Sequence, residues 1–193
     1  ETYYRYTGKL LTEIESGRTV ADGEGQITQR VYTNEGWLQT VKQKKDDGTF
    51  LTVASFTYNS AGKPLTSVSY RDGVAFTTKY EYDALSRLTK VTDPANNVTQ
   101  YRYDAMDNRV AMVDAKSRET LYTYDGLNRL TKIEQKGVTP SAITQFTYDA
   151  AGNLLTVTDP ENHTTTYTYD ALSRRTQVIQ PLSQAVSYVY DNM

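Results

Sequence analysis

"YEYDALSRLTKVTDPANNVTQYRYD", residues Tyr80 to Asp104, opens and closes on the same spelling, aromatic-x-Tyr-Asp. Tyr80 and Tyr82 stand at i and i+2, which in an extended strand places both rings on one face and turns Glu81 and Asp83 to the other. The next four residues, "ALSR", and their counterparts "AMDN", "GLNR" and "AAGN" concentrate small residues, Gly, Asn, Asp and Ser, the types that tolerate tight or left-handed turns. A hairpin loop is expected there. "LTKVTD", rich in β-branched residues, then suits a second strand. Leu88 and Val91 are three apart, so a regular strand would send them to opposite faces; either both faces are covered or a bulge resets the register. "DPANN" (Asp93 to Asn97) marks a second turn, because Pro94 lacks a donor and fixes φ.

The same unit recurs along the chain. It reads "YRYDAMDNRVAMVD" from Tyr101, "YTYDGLNRLTKIE" from Tyr122, "FTYDAAGNLLTVTDP" from Phe146 and "YTYDALSRRTQVIQP" from Tyr167, and a further one is cut off after Tyr188. Upstream the match loosens through "FTYNSAGKPLTSV", "RVYTNEGWLQTV" and "YRYTGKLLTEI". The second aromatics, Tyr6, Tyr32, Tyr58, Tyr82, Tyr103, Tyr124, Tyr148, Tyr169 and Tyr190, are separated by steps of 26, 26, 24, 21, 21, 24, 21 and 21. The longer steps are expected to hold loop insertions, such as "QKKDDGT" (Gln43 to Thr49) and "KGVTPSA" (Lys136 to Ala142). Residues 1–193 thus read as a single repeat array, divergent over 1–55 and well matched over 56–193.

The fold class is all-β, tandem antiparallel hairpins. About 16 strands exceed the roughly ten that a twisted open sheet accommodates, so the ribbon is expected to curl. Neither end shows a polar cap, and the chain opens on Glu1, as a window from a longer chain would.

Composition narrows the chemistry. Seventeen of the 193 residues are Tyr, against 4 Phe and 1 Trp. A ring that packs while its hydroxyl seeks a partner suits a thin sheet with partly wet faces. With 21 basic against 23 acidic side chains there is no surplus to neutralise a phosphate backbone, so nucleic acid is an unsuitable partner. The absence of Cys excludes a disulfide framework and thiolate chemistry, and no apolar run is long enough for a membrane span.

Catalysis finds no foothold. The only histidine, His163 in "DPENH", aligns with Asn97 and reads as a turn residue. The acids at one repeat position, Asp83, Asp104, Asp125, Asp149, Asp170 and Asp191, look like turn caps bonding nearby N–H groups; a calcium ladder would need a Gly-rich spacing that is missing. Arg87, Arg129 and Arg174, read as one residue into the second strand, would pair with these acids or with a cargo. The signature positions, taken as structural, are Tyr58, Tyr82, Asp83, Arg87, Tyr101, Tyr103, Asp104, Tyr122, Tyr124, Asp125, Arg129, Tyr148, Asp149, Asn153, Tyr167, Tyr169, Asp170 and Arg174. No cofactor or metal is expected.

These units resemble RHS (rearrangement hotspot) or YD repeats, with their Tyr-Asp start, Gly/Asn-Arg-Leu turn and Thr-Asp-Pro exit. The resemblance implies a sheet ribbon that spirals into a hollow shell, as in bacterial RHS polymorphic toxins, toxin-complex shell subunits and teneurins. It implies a non-enzymatic structural segment that encloses a C-terminal toxin polypeptide before delivery, secreted or at the cell surface. The implied partners are the rest of its own chain, the enclosed toxin and secretion-machinery proteins. The Asp-Pro self-cleavage motif of many bacterial members, followed closely by Gly-Leu, is lacking: Asp93-Pro94 precedes "ANN" and Asp159-Pro160 precedes "ENH". The alternative is an adhesion or glycan-binding module, with sugar rings stacked on the tyrosine stripe.

Overall fold

The computed structural model describes residues 2–8, 10–16 and 26–191, in two compact units divided after Val98. The first holds β1 (Thr2–Thr7), β2 (Leu10–Ser16), β3 (Gln26–Tyr32), β4 (Leu38–Lys44), β5 (Phe50–Tyr58), β6 (Pro64–Arg71), β7 (Val74–Tyr82) and β8 (Leu88–Thr92). The second comprises, from its second residue on, β9 (Val98–Tyr103), then β10 (Arg109–Val113), β11 (Glu119–Tyr124), β12 (Leu130–Gln135), β13 (Ala142–Tyr148), β14 (Leu154–Thr158), β15 (Thr164–Tyr169) and β16 (Arg175–Ile179). A short 3-10 turn (Pro181–Ser183) then leads to β17 (Ala185–Ser187). Within each unit every strand pairs antiparallel with the next in sequence, a meander of hairpins. Among the described residues no helix is long and apolar enough to cross a membrane. Glu1, Lys9, residues 17–25 in the first 26-residue step, and Asn192 and Met193 lie outside the described residues.

The register explains the three-residue spacing. Leu88 opposes Tyr82, Lys90 opposes Glu81 and Val91 opposes Tyr80, leaving Thr89 as the extra residue of a bulge. Opposed residues share a face, so the bulge brings Leu88 and Val91 onto the tyrosine face together. The same shift recurs before Tyr32, Tyr58, Tyr124, Tyr148 and Tyr169. Thr89 and Thr131, the bulged residues, donate their hydroxyls to the carbonyls of Glu81 and Thr123.

A 21-residue step, Tyr103 to Tyr124, is a corner at Asp104–Asn108, the five residues of β10, a second corner at Asp114–Arg118, and the six of β11. Two of the longer steps show where the extra residues go. Around "KGVTPSA" the loop, residues 136–141 with a cis Thr139–Pro140 bond, is one residue longer than a corner, and β12 and β13, at 6 and 7 residues, take up the rest. "QKKDDGT" holds no longer loop at all. Lys45–Thr49 is a corner of ordinary size, closed by Lys45 N–H on the Thr49 carbonyl, and the extra residues lengthen β4 to 7 and β5 to 9. Compared with β10 and β11, β4 gains two residues and β5 three, the odd one being Val53, which the register shift between Val41 and Lys42 leaves as a bulge.

One layer of sheet leaves little interior. Among the described residues only Ala111 is fully enclosed, at 1% exposure, and the tyrosines are mostly half-buried. That is the thin, partly wet sheet expected from the tyrosine bias.

Candidate functional site: the corner and the tyrosine rung

Each aromatic-x-Tyr-Asp hairpin ends in one small machine. At Asp83–Arg87 the Asp83 N–H donates to the Arg87 carbonyl (3.0 Å) and the Ser86 N–H donates back to the Asp83 carbonyl (2.9 Å). Asp83 Oδ1 accepts from the N–H groups of Leu85 (3.0 Å) and Arg87 (2.9 Å), and Oδ2 accepts from Arg87 Nε (2.8 Å). Ser86 takes φ 62°, the left-handed conformation that short polar residues and glycine reach most easily. Asp125–Arg129 and Asp170–Arg174 repeat these bonds, with Asn128 at φ 60° and Ser173 at φ 59°. At Asp104–Asn108 and Asp149–Asn153 the closing side chain is Asn, whose Nδ2 donates to the carboxylate at 3.0 and 2.8 Å.

The arginines therefore occupy the last corner position, one residue before the second strand rather than inside it. The reason is bidentate closure: backbone N–H and side chain of one residue must reach both oxygens of an aspartate four positions earlier, and only the loop curls back that far.

The second turn of the repeat is the same corner in different letters. Asp93 Oδ1 accepts from Ala95 and Asn97 N–H at 2.8 Å, Oδ2 accepts from Asn97 Nδ2 at 2.8 Å, and Asn96 has φ 64°. Asp114–Arg118 and Asp159–His163 follow suit, with Arg118 Nε at 2.7 Å and His163 Nδ1 at 3.1 Å from Oδ2. One pattern underlies all of these corners: Asp, two free positions, Ser, Asn, Asp or Gly, then Arg, Asn or His. That pattern is legible in the sequence once both turns are aligned on their aspartates.

The corner sets the charge state of its acid. The N–H of Arg87 holds the Asp83 carboxyl below its ordinary range, as those of Arg129 and Arg174 do for Asp125 and Asp170. For Asp93, Asp114 and Asp149 the side-chain donors Asn97, Arg118 and Asn153 lead the same downward shift. At Asp159 burial pushes upward, and the hydrogen bonds from His163 more than cancel it.

Successive hairpins are tied by tyrosine. The Tyr82 hydroxyl donates to the Pro64 carbonyl (2.9 Å), Tyr58 to Leu38 (2.7 Å), Tyr124 to Arg109 (3.2 Å), Tyr148 to Leu130 (2.8 Å) and Tyr169 to Leu154 (3.0 Å). Every acceptor is the first residue of the preceding hairpin's second strand, opposite the preceding signature tyrosine. Burial raises the Tyr58, Tyr82 and Tyr124 hydroxyls above their ordinary range, and their carbonyl partners, which can only accept, make them the donors. Tyr103, half-buried, opposes Arg109 in the same row.

The last corner residue adds a second tie. The Arg129 guanidinium lies 4.8 Å from the Tyr148 ring centre and donates to the Asp149 carbonyl (2.8 Å), and Arg174 lies 4.5 Å from Tyr190. In the first unit Trp37 holds that place, 5.4 Å from the Tyr58 ring. Where the residue is Asn it bridges onward: Asn108 Nδ2 to Asn128 Oδ1 (2.9 Å) and Asn153 Nδ2 to Ser173 Oγ (3.1 Å). The first aromatics of the units face the second strand: Tyr101 opposes Met112, Tyr122 opposes Ile133 and Tyr167 opposes Val178. Arg109 lies over both Tyr101 (5.7 Å) and Tyr122 (4.9 Å).

Asp159, Glu161 and His163 bring donor atoms within 4.8 Å of one another, but both Asp159 oxygens and the His163 ring already close the corner. The arrangement is a joint repeated along a ribbon rather than a convergence of groups on one reacting atom.

Among solved structures, the Tc holotoxin pore of Photorhabdus luminescens shares the fold at a TM-score of 0.66 and 17% identity, over 93% of this chain and 12% of that one. The TcdB2-TccC3 complex aligns at a TM-score of 0.40 and 15% identity, over 88% of this chain and 14% of that one. The chain thus spans roughly an eighth of the length of the solved chains it matches. No curated protein matches it. The model of the family described as Teneurin YD-shell matches residues 11–193, and the chain belongs to that family.

Proposed function

We propose that this chain is a non-enzymatic wall segment of an RHS/YD-repeat shell that encloses a C-terminal toxic polypeptide until delivery. The observation that carries the reading is the rung from each signature tyrosine to the hairpin before it, a joint that fastens successive hairpins without building a site. A wall made this way needs no cofactor and no metal. Its partners are the rest of its own longer chain, the enclosed polypeptide and the secretion-machinery proteins that export it to the cell exterior. The family assignment and the fold shared with a Tc holotoxin chain support a shell-type structural role.

The adhesion or glycan-binding alternative needs free aromatic faces. Tyr101 and Tyr122 lie under Arg109, and Tyr148 lies under Arg129, which argues against that use of those rings.

Limited proteolysis of the full gene product tests the proposal. The polypeptide encoded downstream is expected to survive protease while the repeats are intact and to be digested once the shell is opened by denaturant. Immediate digestion in the native protein would refute the shell reading, and glycan binding lost on Tyr101→Ala and Tyr122→Ala in a folded protein would replace it with the alternative.

A further inference from the structure

The two faces of the second unit treat charge differently. Its strands carry four basic side chains, Arg102, Arg109, Lys132 and Arg175, and two carboxylates, Glu119 and Glu134. Arg102, Lys132, Glu119 and Glu134 lie on the face turned away from the tyrosines, opposite Ala111, Thr123, Val113 and Leu121. There each cation has its acid: Arg102 pairs with Glu119, and Lys132 with Glu134 at 3.0 Å. Arg109 and Arg175 lie on the tyrosine face, opposite Tyr103 and Tyr169, at the place that Leu130 and Leu154 hold in the neighbouring hairpins. Both are exposed, and among the described residues neither meets a carboxylate.

Aromatic rings hold these two instead. The Arg109 guanidinium lies 5.7 Å from the Tyr101 ring centre and 4.9 Å from that of Tyr122, and Arg175 lies 5.1 Å from Tyr188. A guanidinium oriented by rings keeps N–H donors for a carboxylate, whose two oxygens its planar fork matches. Between the two arginines the same face presents half-buried Leu130, Ile133, Leu154 and Val157. A wholly apolar partner would bury two unmatched cations there, and a basic one would add repulsion. A sulfated glycan would stack its rings on open aromatic faces, and those of Tyr101, Tyr122 and Tyr188 are covered. An acidic polypeptide satisfies both the cations and the apolar row. From β10 to β16 is six strand spacings, roughly 29 Å along the sheet, which an extended chain crosses in about nine residues.

We propose that the tyrosine face of the second unit docks an acidic polypeptide segment, with Arg109 and Arg175 each taking a carboxylate and the apolar row between them covering the intervening side chains. The docking needs no shell, and protease protection of the downstream polypeptide is read separately.

Calorimetric titration of the 193-residue protein tests it. The probe is a synthetic peptide of Ala, Thr and Leu with one Glu pair near each end, about nine residues apart, beside a counterpart with Gln in place of Glu. The glutamate peptide is expected to bind with a Kd of about 0.1–1 mM at ~50 mM salt, and the glutamine peptide at least about tenfold more weakly. Arg109→Gln and Arg175→Gln should each weaken binding about threefold or more, and Glu pairs only about four residues apart, too close to reach both arginines, should lose as much. Arg109→Lys keeps the charge without the fork; it should weaken binding about twofold, and it serves in place of Arg109→Gln if glutamine shifts the urea midpoint. Arg102→Gln with Glu119→Gln, on the other face and neutral in sum, should leave the affinity unchanged. No binding at millimolar peptide, equal binding of the glutamine peptide, or an affinity indifferent to the arginine changes overturns the proposal. Tighter binding of heparin, lost with the same arginine changes, also overturns it and gives the face to a sulfated glycan.

Discussion

The corners Asp125–Arg129 and Asp114–Arg118 flank β11 and do different jobs with the same bonds. Each aspartate accepts two backbone N–H groups on Oδ1 and a guanidinium on Oδ2, and each places a polar residue at φ near 60°. Beyond that they diverge. Arg129 continues onto the Tyr148 ring and the Asp149 carbonyl, and Leu130 accepts the Tyr148 hydroxyl, so the Tyr-Asp corner couples one hairpin to the next. Arg118 is 63% exposed and spends its charge on its own corner. The comparison teaches that loop closure and inter-repeat coupling are separable: the aspartate sets the turn, and the partner of the last residue decides whether the turn also joins hairpins.

Acid should act on both kinds of corner and so produce the largest effect. The corner carboxyls have lower pKa values folded than unfolded, so the unfolded chain binds protons first as pH falls. Their contribution is complete above the ordinary Asp value near 3.9 and is lost progressively below it. Urea midpoints between pH 6 and pH 2.5 should drop steeply below pH 4; a flat profile would mean the carboxylates contribute nothing to the corner.

Truncating the coupling residue comes next. Tyr148→Ala removes a half-buried ring, its rung to Leu130 and the face under Arg129, and should cost about 2–3 kcal/mol in urea unfolding. Asn97→Ala, in a corner of the other kind, is expected to cost about 0.5 kcal/mol. Equal losses would break the distinction between closure and coupling.

Gly62→Ala sharpens it from the backbone side. Gly62 has φ 75°, and an added Cβ would meet the Trp37 ring at 3.0 Å, so the left-handed turn and the inter-repeat packing are strained together, at about 2 kcal/mol. Ser86→Gly, at the equivalent place where a side chain is already accommodated, should change stability by less than about 0.5 kcal/mol.

The smallest coupling effect isolates one atom. Tyr148→Phe keeps the ring and removes the hydroxyl from the Leu130 carbonyl, for about 1 kcal/mol. A loss as large as that of Tyr148→Ala would show that the hydroxyl rather than the ring fastens the hairpins.

Much of this was legible in the residues. Tyr80 and Tyr82 at i and i+2, the small polar residues after Asp83, and the recurrence of the unit along the chain specify hairpins, faces and corners, because alternation and turn chemistry are local properties. The Leu88 and Val91 spacing pointed to a bulge as one of two readings, and pairing with Tyr82 and Tyr80 selects it. The extra residues around Lys45–Thr49 could not be assigned from local signals, since "KKDDGT" suits a long loop and a short corner between longer strands equally well.

The sequence by itself determined the all-β class, the repeat, and the aspartate at each signature corner. Only the tertiary structure decided the partners of Tyr58, Tyr82 and Tyr148, which are carbonyls 18 to 20 residues away, and the stacking of Arg129 on Tyr148. The physical reason is range: an Asx corner closes within five residues whatever surrounds it, while a hydroxyl finds its acceptor only after the bulge has set the register of two hairpins.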